Sequence, residues 1–368
     1  MDISHVLSRT GILALLLLAA RPSNGFSNHS PIRTLERHPT STLFAEGGAP
    51  QYEKQAGILQ KSECVGKGSY LLTIDYEQGT DNEKLQYDSG HVLALEIQPP
   101  SEESNDAKFQ ITEKTKKDSE NNDGYMLGPY TVSFGYGTDK TKKDGFKVLV
   151  KEVGYKSHVF ATSEPGTPVR FGGKFKVPIA QGIRTSADAD ETEQRDSTKQ
   201  VVLISSGVGV GPCVGAVEEL MESSPSSIDS IDLIASYRTR EEICMEPNLQ
   251  ELQSSSSGPQ FSWKPIITSE DGRLASNGPE ALQKHLPQGV STITNTHYHI
   301  IGNGQLVNEW KEGLKKAGVP ASRVTVEAYF NHAAKADADA IDTICEAILG
   351  LENEATAKAN KAQEAAAL

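Results

Sequence analysis

Residues 201–215, VVLISSGVGVGPCVG, constrain the fold of this chain more than any other stretch. The first four residues are apolar and predict a short strand that is buried on both faces of a sheet. Gly207, Gly209 and Gly211 follow at alternate positions, and Pro212 begins a run with helical spacing, where the missing N–H of proline costs nothing. A strand, a glycine turn and a helix start together offer backbone N–H groups to a phosphate. The spacing is not the G-x-G-x-x-G fingerprint, so a plain strand-to-helix turn is the alternative.

The rest of the second half repeats this alternation of strand and helix. Apolar runs predict strands at 201–204, 231–235, 261–267, 298–301 and 324–330, and helical spacing occurs at 212–223, 241–253, 279–285, 306–317 and 336–349. Such alternation predicts a parallel sheet that is covered by helices on both faces. In sheets of this kind the ligand crevice lies at the carboxyl ends of the strands, where the glycine turn falls.

The first half has a different pattern. Short strand-like runs occur at 70–76, 91–97, 130–134, 146–153 and 169–171, separated by clusters of Gly, Asp, Asn and Pro. They predict an antiparallel β-barrel or sandwich, which we assign to residues 55–183. The polar stretch from 99 to 124 predicts a mobile surface loop without chemistry.

Two polar segments suggest the domain limits. Residues 184–199 carry no apolar side chain larger than alanine and predict a linker. The second domain, an α/β domain of the nucleotide-binding type, would then span residues 200–350. Residues 351–368 form a charged, alanine-rich tail, for which we expect a frayed helix or disorder and no evident function.

The amino terminus predicts a targeting sequence. Nine apolar residues, 12–20, are too few to span a bilayer but suit a signal peptide, which we assign to residues 1–25. Residues 26–48 are rich in Ser, Thr, Arg and His, as transit peptides are. This order, with Phe26 at the junction, resembles the bipartite presequences of algae with complex plastids. Secretion is the alternative, and we predict no membrane span in the mature chain.

Charge and composition exclude several function classes. The net charge of −13 argues against nucleic acid as a partner, because a phosphate backbone requires a basic surface. The four cysteines lack C-x-x-C spacing and predict buried free thiols. His297 and His299 alternate on a predicted strand, but two ligands are too few, so no metal site is predicted. Hydrolase and metalloprotease motifs are absent.

Several motifs in order resemble those of the ferredoxin–NADP reductase family, and the resemblance covers residues 55–332. In the first half they are GHVLAL at 90–95, PYT at 129–131, FKVLVKEVGYKS at 146–157 and the Pro-Gly to Gly-Gly turn at 165–173. In the second half they are SGVGVGP at 206–212, SYRT at 236–239, IIGNG at 300–304 and VEAYFN at 326–331. The resemblance implies an FAD-binding β-barrel followed by a Rossmann-like NAD(P)-binding domain.

The resemblance also implies roles for residues of the barrel. Tyr130 would pack on the flavin isoalloxazine ring, and Thr131 would reach its N5 atom. Gly154 and Ser157 would lie at the flavin phosphates. In the alternative interpretation, Tyr130 and Thr131 are ordinary strand residues.

On the nucleotide side, the resemblance assigns the nicotinamide dinucleotide to the glycine turn, Pro212 and Gly302. Glu327, near the end of the last strand, would form the catalytic centre together with Thr131. Arg238, Arg240 and Arg273, with Ser269, follow strand ends and predict an adenosine 2′-phosphate site, because guanidinium groups match phosphate geometry. We therefore predict NADP ahead of NAD; the alternative is that these arginines are solvated and pair with Glu241, Glu242 or Asp271.

Three positions depart from the family pattern. Gly128 stands in place of the flavin-motif arginine, Val208 in place of a threonine and Ile301 in place of a cysteine. Loss of the arginine removes a bidentate donor to the FAD pyrophosphate, so FAD would need Arg170 or Lys174 as a substitute.

The sequence thus predicts an FAD-dependent NAD(P)H oxidoreductase that passes electrons to an unidentified acceptor, which could be a protein. The alternative is a reductase-like subunit with reduced or no activity, which binds nucleotide or a protein partner in a plastid complex.

Overall fold

The computed structural model describes residues 52–77, 86–99, 109–137, 143–188, 198–222, 228–288 and 291–366. The predicted signal peptide and transit-like segment, residues 1–48, lie outside the described residues. Within the described ranges, no helix combines the length and the apolar character needed to cross a membrane.

The first half folds into a closed antiparallel barrel of six strands in the order β1-β2-β5-β4-β3-β6. The strands are β1 (Gln55–Gly66), β2 (Ser69–Tyr76), β3 (Val92–Ile97), β4 (Met126–Tyr136), β5 (Gly145–Lys151) and β6 (Thr167–Gly172). Aromatic and aliphatic side chains fill its interior, and the Phe146 and Phe171 rings lie 5.0 Å apart. Closure leaves no free sheet edge. The predicted barrel is confirmed.

Three helices accompany the barrel: α1 (Glu113–Glu120), α2 (Tyr155–Thr162) and α3 (Ile179–Asp188). The prediction of a loop throughout residues 99–124 is wrong over α1. The hydroxyl of Thr112 caps this helix by accepting a hydrogen bond from the Thr115 N–H at 3.1 Å. Just before it, Phe109 stacks on His158 of α2 with ring centroids 4.1 Å apart, which fastens the segment to the barrel.

The second half is a five-stranded parallel sheet, as predicted, and its strand order is β11-β10-β7-β8-β9. Its strands are β7 (Gln200–Ser206), β8 (Ser230–Tyr237), β9 (Gln260–Ile267), β10 (Thr296–Asn303) and β11 (Val324–Phe330). Its helices are α4 (Val210–Glu222), α5 (Glu246–Ser254), α6 (Thr268–Asp271), α7 (Pro279–Gln283), α8 (Gly304–Lys316) and α9 (Ala338–Ala366). The chain moves outward from β7 through β8 and β9 and returns to β10, so the strand order reverses between β7 and β10. The predicted limits of the two domains stay predictions.

Helix α4 packs directly on the barrel through two glycines. A Cβ atom at Gly211 would lie 2.8 Å from the Cβ of Leu149 in β5. A Cβ atom at Gly215 would overlap the backbone carbonyl of Ser133 in β4. These two positions therefore allow the nucleotide-binding half to approach the barrel closely.

We expect Gly215→Ala to lower the free energy of unfolding by about 1–3 kcal/mol, the usual cost of overpacking a well-packed site. The carbonyl that the new methyl group meets belongs to the backbone, so it cannot rotate away. Gly182→Ala is the control, because its Cβ would have its nearest neighbour 3.9 Å away in a helix. There, alanine should be neutral or stabilising by up to about 1 kcal/mol. Denaturant unfolding measures both variants, and equal effects would contradict the proposed close packing.

Candidate functional site

The glycine turn lies at the carboxyl end of β7, where it was predicted. Gly207–Gly209 form one turn of 3₁₀-helix that leads into α4, and Gly207 has a φ of +54°. No atom lies within 4 Å of the position of a Cβ at Gly207, whereas a Cβ at Gly209 would lie 3.0 Å from the carbonyl oxygen of Ile301. The turn is thus packed against β10 on one side and open at Gly207. Its first N–H groups lack helical partners and are available to an anion.

Pro212 and Gly302 complete this end of the sheet. Pro212 is the third residue of α4, because the helix begins at Val210, two positions earlier than we predicted. Gly302 has a φ of +137°, and a Cβ there would overlap the hydroxyl of Ser206. That hydroxyl accepts a hydrogen bond from the Asn303 N–H at 3.0 Å. Gly302 therefore lets the ends of β7 and β10 come together beside the glycine turn.

The two predicted catalytic residues meet across the junction between barrel and sheet. Thr131 of β4 donates a short hydrogen bond from its hydroxyl to the carboxylate of Glu327 in β11. Both side chains are buried. In the sheet, Glu327 lies opposite Ile301, which in turn lies opposite Ser205 of β7. The pair therefore stands next to the carboxyl end of the strand that carries the glycine turn.

The electrostatic environment of Glu327 has two opposing influences. Burial raises the pKa of its carboxyl group above the ordinary value, while Lys176 and the Thr131 hydroxyl act to lower it. The Lys176 ammonium lies 3.9 Å from a carboxylate oxygen of Glu327 and donates to the Val326 carbonyl at 3.2 Å. Thr131 donates its only proton to Glu327, and the partly buried Tyr329 side chain also forms a hydrogen bond with the Thr131 hydroxyl. This arrangement can hold and exchange a proton at a dry interface.

Tyr130 and Gly128 lie on the same strand, and the Tyr130 ring limits the space for a side chain at position 128. The Tyr130 ring is partly buried and packs edge-on against Phe160 of α2, with ring centroids 5.2 Å apart. A Cβ atom at Gly128 would lie only 2.8 Å from the Tyr130 ring. With Tyr130 in this position, residue 128 cannot carry the arginine of the family motif.

The predicted flavin-phosphate residues begin helix α2. The hydroxyl of Ser157 accepts hydrogen bonds from the N–H groups of Val153 and Gly154, at 2.9 and 3.1 Å, and donates to the Gly154 carbonyl. It is thus engaged within its own helix. No atom lies within 4 Å of the Cβ position of Gly154, which leaves that side of the helix start open.

Arg170 is not available as a substitute for the missing arginine. Its Nε donates to a carboxylate oxygen of Glu96 at 2.7 Å, and the Glu96 side chain has no exposed surface. The Tyr52 hydroxyl and the Lys54 ammonium also bind Glu96, at 2.8 and 3.1 Å. Arg170 therefore belongs to a structural charge cluster of the barrel. Lys174, the other predicted substitute, is exposed.

The arginines near the ends of β8 and β9 differ in their partners. Arg238 is exposed, and within the described part of the chain its guanidinium makes no ion pair. Ser269 lies beside it, since the Ser269 N–H donates to the Arg238 carbonyl at 3.1 Å. Arg240 binds Glu270 with its Nη2 at 2.7 Å, and Arg273 binds the buried Glu309 at 2.9 Å. Of the predicted 2′-phosphate residues, Arg238 and Ser269 lie together, whereas Arg240 and Arg273 are each bound to a carboxylate.

The surroundings of the two β10 histidines and of the four cysteines indicate structural roles for these residues. His297 and His299 are buried and lie 3.0 and 2.9 Å from the Thr325 hydroxyl. Burial lowers the pKa of His299 to about 3, so its ring is neutral. Among the described residues, no group of three metal-ligating side chains occurs. All four thiols are free, but Cys64 is exposed, so the prediction of burial is wrong there.

Sequence reasoning missed two lysines of the site. Lys176 joins the barrel to α3 and reaches Glu327, a contact that no local pattern indicates. Lys156 of α2 donates to the Leu127 carbonyl at 2.9 Å, next to Gly128. Its position inside the G-Y-K-S motif was a signal that sequence reasoning could have used.

Comparison with known proteins agrees with this architecture. A family model described as the oxidoreductase NAD-binding domain matches residues 203–312. No curated protein matches the chain by sequence. Three solved structures share the fold over both halves, at identities of 14–16%.

The first is the flavohem-like FAD/NAD-binding domain of nitric oxide dioxygenase from Vibrio cholerae O1 biovar El Tor, with a TM-score of 0.51 and 14% identity over 75% of this chain and 98% of that one. The second is the Amycolatopsis cytochrome P450 reductase GcoB, with a TM-score of 0.51 and 16% identity over 77% of this chain and 73% of that one. The third is the NAD⁺ form of the CS-b5R domains of human Ncb5or, with a TM-score of 0.53 and 14% identity over 75% and 70%.

The closed barrel and the parallel sheet give the chain the two-domain fold that these solved structures share. The fold agrees with the one that the resemblance of the motifs implied, and residues 203–312 match the oxidoreductase NAD-binding domain by sequence. At these identities the likeness to the solved structures is one of fold.

Proposed function

We propose that this protein is an NAD(P)H-dependent flavin oxidoreductase that passes electrons to a further acceptor. The observation that carries the proposal is the buried Thr131–Glu327 pair, which joins the flavin strand of the barrel to the carboxyl edge of the sheet. A pair of this kind is expected where two redox groups meet away from water.

In this proposal each half has one task. The glycine turn and Gly302 hold the nicotinamide dinucleotide, and β4 holds the flavin through Tyr130 and Thr131. A bound flavin would supply the two-electron chemistry. The protein aligns the two ring systems, Ile301 fills the space beside them and excludes water, and Glu327 holds a proton on the Thr131 side.

A spectrum of the purified protein tests the proposal. After reconstitution with FAD, the protein should show bound-flavin absorption that bleaches on anaerobic addition of NADPH and returns with an artificial electron acceptor. A protein that stays colourless after reconstitution and catalyses no NAD(P)H-dependent reduction would refute it.

A second function deserves a test because the phosphate end of the flavin site departs from the family. Position 128 is covered by Tyr130, and the Ser157 hydroxyl is engaged within its own helix. A reductase-like subunit without turnover would bind NADPH without flavin and would co-purify with a partner. An isolated, flavin-loaded and active monomer would exclude this function.

The choice of nucleotide depends on Arg238. We expect Arg238→Ala to weaken NADPH binding about tenfold, because a hydrogen-bonded charge pair with the 2′-phosphate is worth about 1.5–3 kcal/mol. NADH, which lacks this phosphate, should bind unchanged. Arg240→Ala is the control, since Arg240 is bonded to Glu270. Titration calorimetry with both nucleotides measures the change, and a parallel loss of NADH affinity would contradict the assignment.

We propose the plastid as the location, on the composition of residues 1–48 alone. Fused ahead of a fluorescent protein, these residues should direct it to the plastid of an alga with a complex plastid. Phe26→Ala should retain the fusion in the secretory route. Secretion of the unaltered fusion would favour the alternative.

A further inference from the structure

The proposed function leaves the negative charge of the flavin phosphate without a counterion. Gly128 removes the arginine of the family motif, and the Tyr130 ring occupies the space in which a side chain would begin. Arg170 neutralises Glu96 and cannot serve. If a flavin with a phosphate binds against β4, another cation must therefore lie nearby.

Lys156 is the cation that the fold brings to this place. Its ammonium donates to the backbone carbonyl of Leu127 at 2.9 Å, one residue before Gly128. The side chain crosses from α2 to β4 at a level where β4 has no partner in β5, since that pairing begins at Val132. Lys156 therefore reaches the backbone that would have carried the arginine.

The Lys156 charge lacks a counterion in the described part of the chain. The partner of its ammonium is an uncharged carbonyl, and no described carboxylate lies within ion-pair distance. Burial lowers the pKa of Lys156. The carboxylate of Asp118 in α1 acts in the opposite direction, but its effect is smaller. A partly buried cation without a paired anion is costly, and an arriving phosphate would remove this cost.

The surroundings of Lys156 suit an anion. Gly154, two residues earlier, has no atom within 4 Å of its Cβ position, so the start of α2 is open there. The first-turn N–H groups of α2 and the positive end of its dipole add to the ammonium charge. Glu152, just before α2, carries a negative charge, but its carboxylate lies 2.7 Å from His158, whose ring is covered on one face by Phe109.

We propose that Lys156 binds the phosphate of the flavin and replaces the arginine that Gly128 lacks. This inference rests on the proposed function. The ligand class is a flavin nucleotide, through the phosphate ester of FMN or the pyrophosphate of FAD. Lys174 is a poorer candidate, because Asp88 acts on its charge and its ammonium lies 5.5 Å from the centre of the Tyr87 ring.

The test compares riboflavin, FMN and FAD, which share the ring system and differ in the phosphate. Affinities for the purified flavin-free protein are measured by quenching of flavin fluorescence. The unaltered protein should bind FMN and FAD at least about tenfold more tightly than riboflavin, as expected for a charge-assisted contact. Lys156→Met should abolish this preference and leave riboflavin affinity unchanged, which also shows that the variant is folded. Lys156→Arg should keep the preference, and Lys174→Met, the matched control, should not alter it.

The possible outcomes separate the two proposals. If Lys156→Met still prefers FMN to riboflavin, or if Lys174→Met loses the preference, the assignment of Lys156 is wrong while the proposed function stands. If the unaltered protein binds riboflavin as tightly as FMN, the assignment of Lys156 is also wrong and the proposed function stands. If it binds none of the three flavins, both proposals fail.

Discussion

Replacement of Glu96 by alanine should lower the free energy of unfolding by about 3–5 kcal/mol, the usual result of removing one partner from a buried ion pair. The Glu96 carboxylate has no exposed surface and accepts hydrogen bonds from Tyr52, Lys54 and Arg170. Without it, the guanidinium of Arg170 and the phenol of Tyr52 lose their main acceptor inside the barrel wall. No rearrangement of β3 can supply another carboxylate there.

The pH dependence of this effect has a definite sign. Burial acts to raise the pKa of Glu96, but the hydrogen bonds from Tyr52, Lys54 and Arg170 together outweigh it and hold the pKa below its ordinary value. A carboxyl group with a lower pKa in the folded state stabilises the protein above its unfolded-state pKa. The difference between the unaltered protein and Glu96→Ala should therefore be full at neutral pH. It should shrink as the pH falls below the unfolded-state value of about 4.3.

Denaturant unfolding at neutral and acid pH measures both effects. The control is Asp123→Asn, because Asp123 pairs with the same arginine at 3.3 Å but its side chain is 82% exposed, and asparagine tolerates the φ of +54° at this position. Exposed pairs contribute about 0–1 kcal/mol, so this variant should stay close to the unaltered protein. A loss of less than about 1 kcal/mol for Glu96→Ala at neutral pH would contradict the structural role of the cluster.

Glu327→Gln should lower NAD(P)H-dependent turnover of the flavin-loaded protein about 100-fold, the lower end of what a positioned acid or base contributes. Glutamine keeps the shape of glutamate and can still accept the hydrogen bond from Thr131. It cannot hold a proton or a charge at the junction of the two halves. Affinity for the nucleotide should change less than about twofold, because the glycine turn does not depend on this carboxylate.

The Thr131 contact supplies the control. If Thr131 and Glu327 act as one unit, Thr131→Val should also lower turnover, and the double variant should be no worse than Glu327→Gln. Lys176→Met should shift the acid limb of the turnover–pH profile to higher pH, because it removes a positive charge that lowers the Glu327 pKa. Steady-state kinetics across pH measures all three. Additive losses, or normal turnover in Glu327→Gln, would show that the pair is structural.

The strands could be predicted from the sequence where the pattern of apolar residues matches the pattern of buried residues. Strand β7, in the middle of the parallel sheet, contains a continuous apolar run at 201–204 and is buried at every residue except Ser206. Strand β1 was missed because its sequence, QAGILQKSECVG, mixes polar and apolar residues without alternation, and only two of its twelve residues are buried. Its conformation comes from pairing with β2 and β6, which no local pattern reveals.

The residues at which the helices begin and end were harder to predict. The predicted helix at 241–253 divides into a turn at Arg240–Glu242 and helix α5, because Met245 has a φ of +63°. Helix α9 runs to Ala366 rather than ending near 349, although its last buried residue is Leu351. Alanine, glutamate and lysine favour helix without tertiary contact, so the tail continues the helix.

For the site, resemblance to a family indicated Thr131 and Glu327 but not their contact. These residues lie 196 positions apart, and only the folded chain places them together. The pairing of Arg273 with Glu309 was equally invisible, because the surface carboxylates expected as partners lie closer in sequence. Motifs thus identify residues whose backbone is fixed by local structure. Charge partners depend on distances that the tertiary fold alone sets.

The close contact at Gly211 and Gly215 also has an evolutionary consequence. Helix α4 carries the nucleotide turn at its start and lies on strand β4 along its side, so it serves both halves at once. An exchange of the nucleotide-binding half with a relative would succeed only if both surfaces of this contact were inherited together. Recombination between proteins of this fold should therefore tolerate breakpoints in residues 184–199 only between parents that share small residues at both glycine positions.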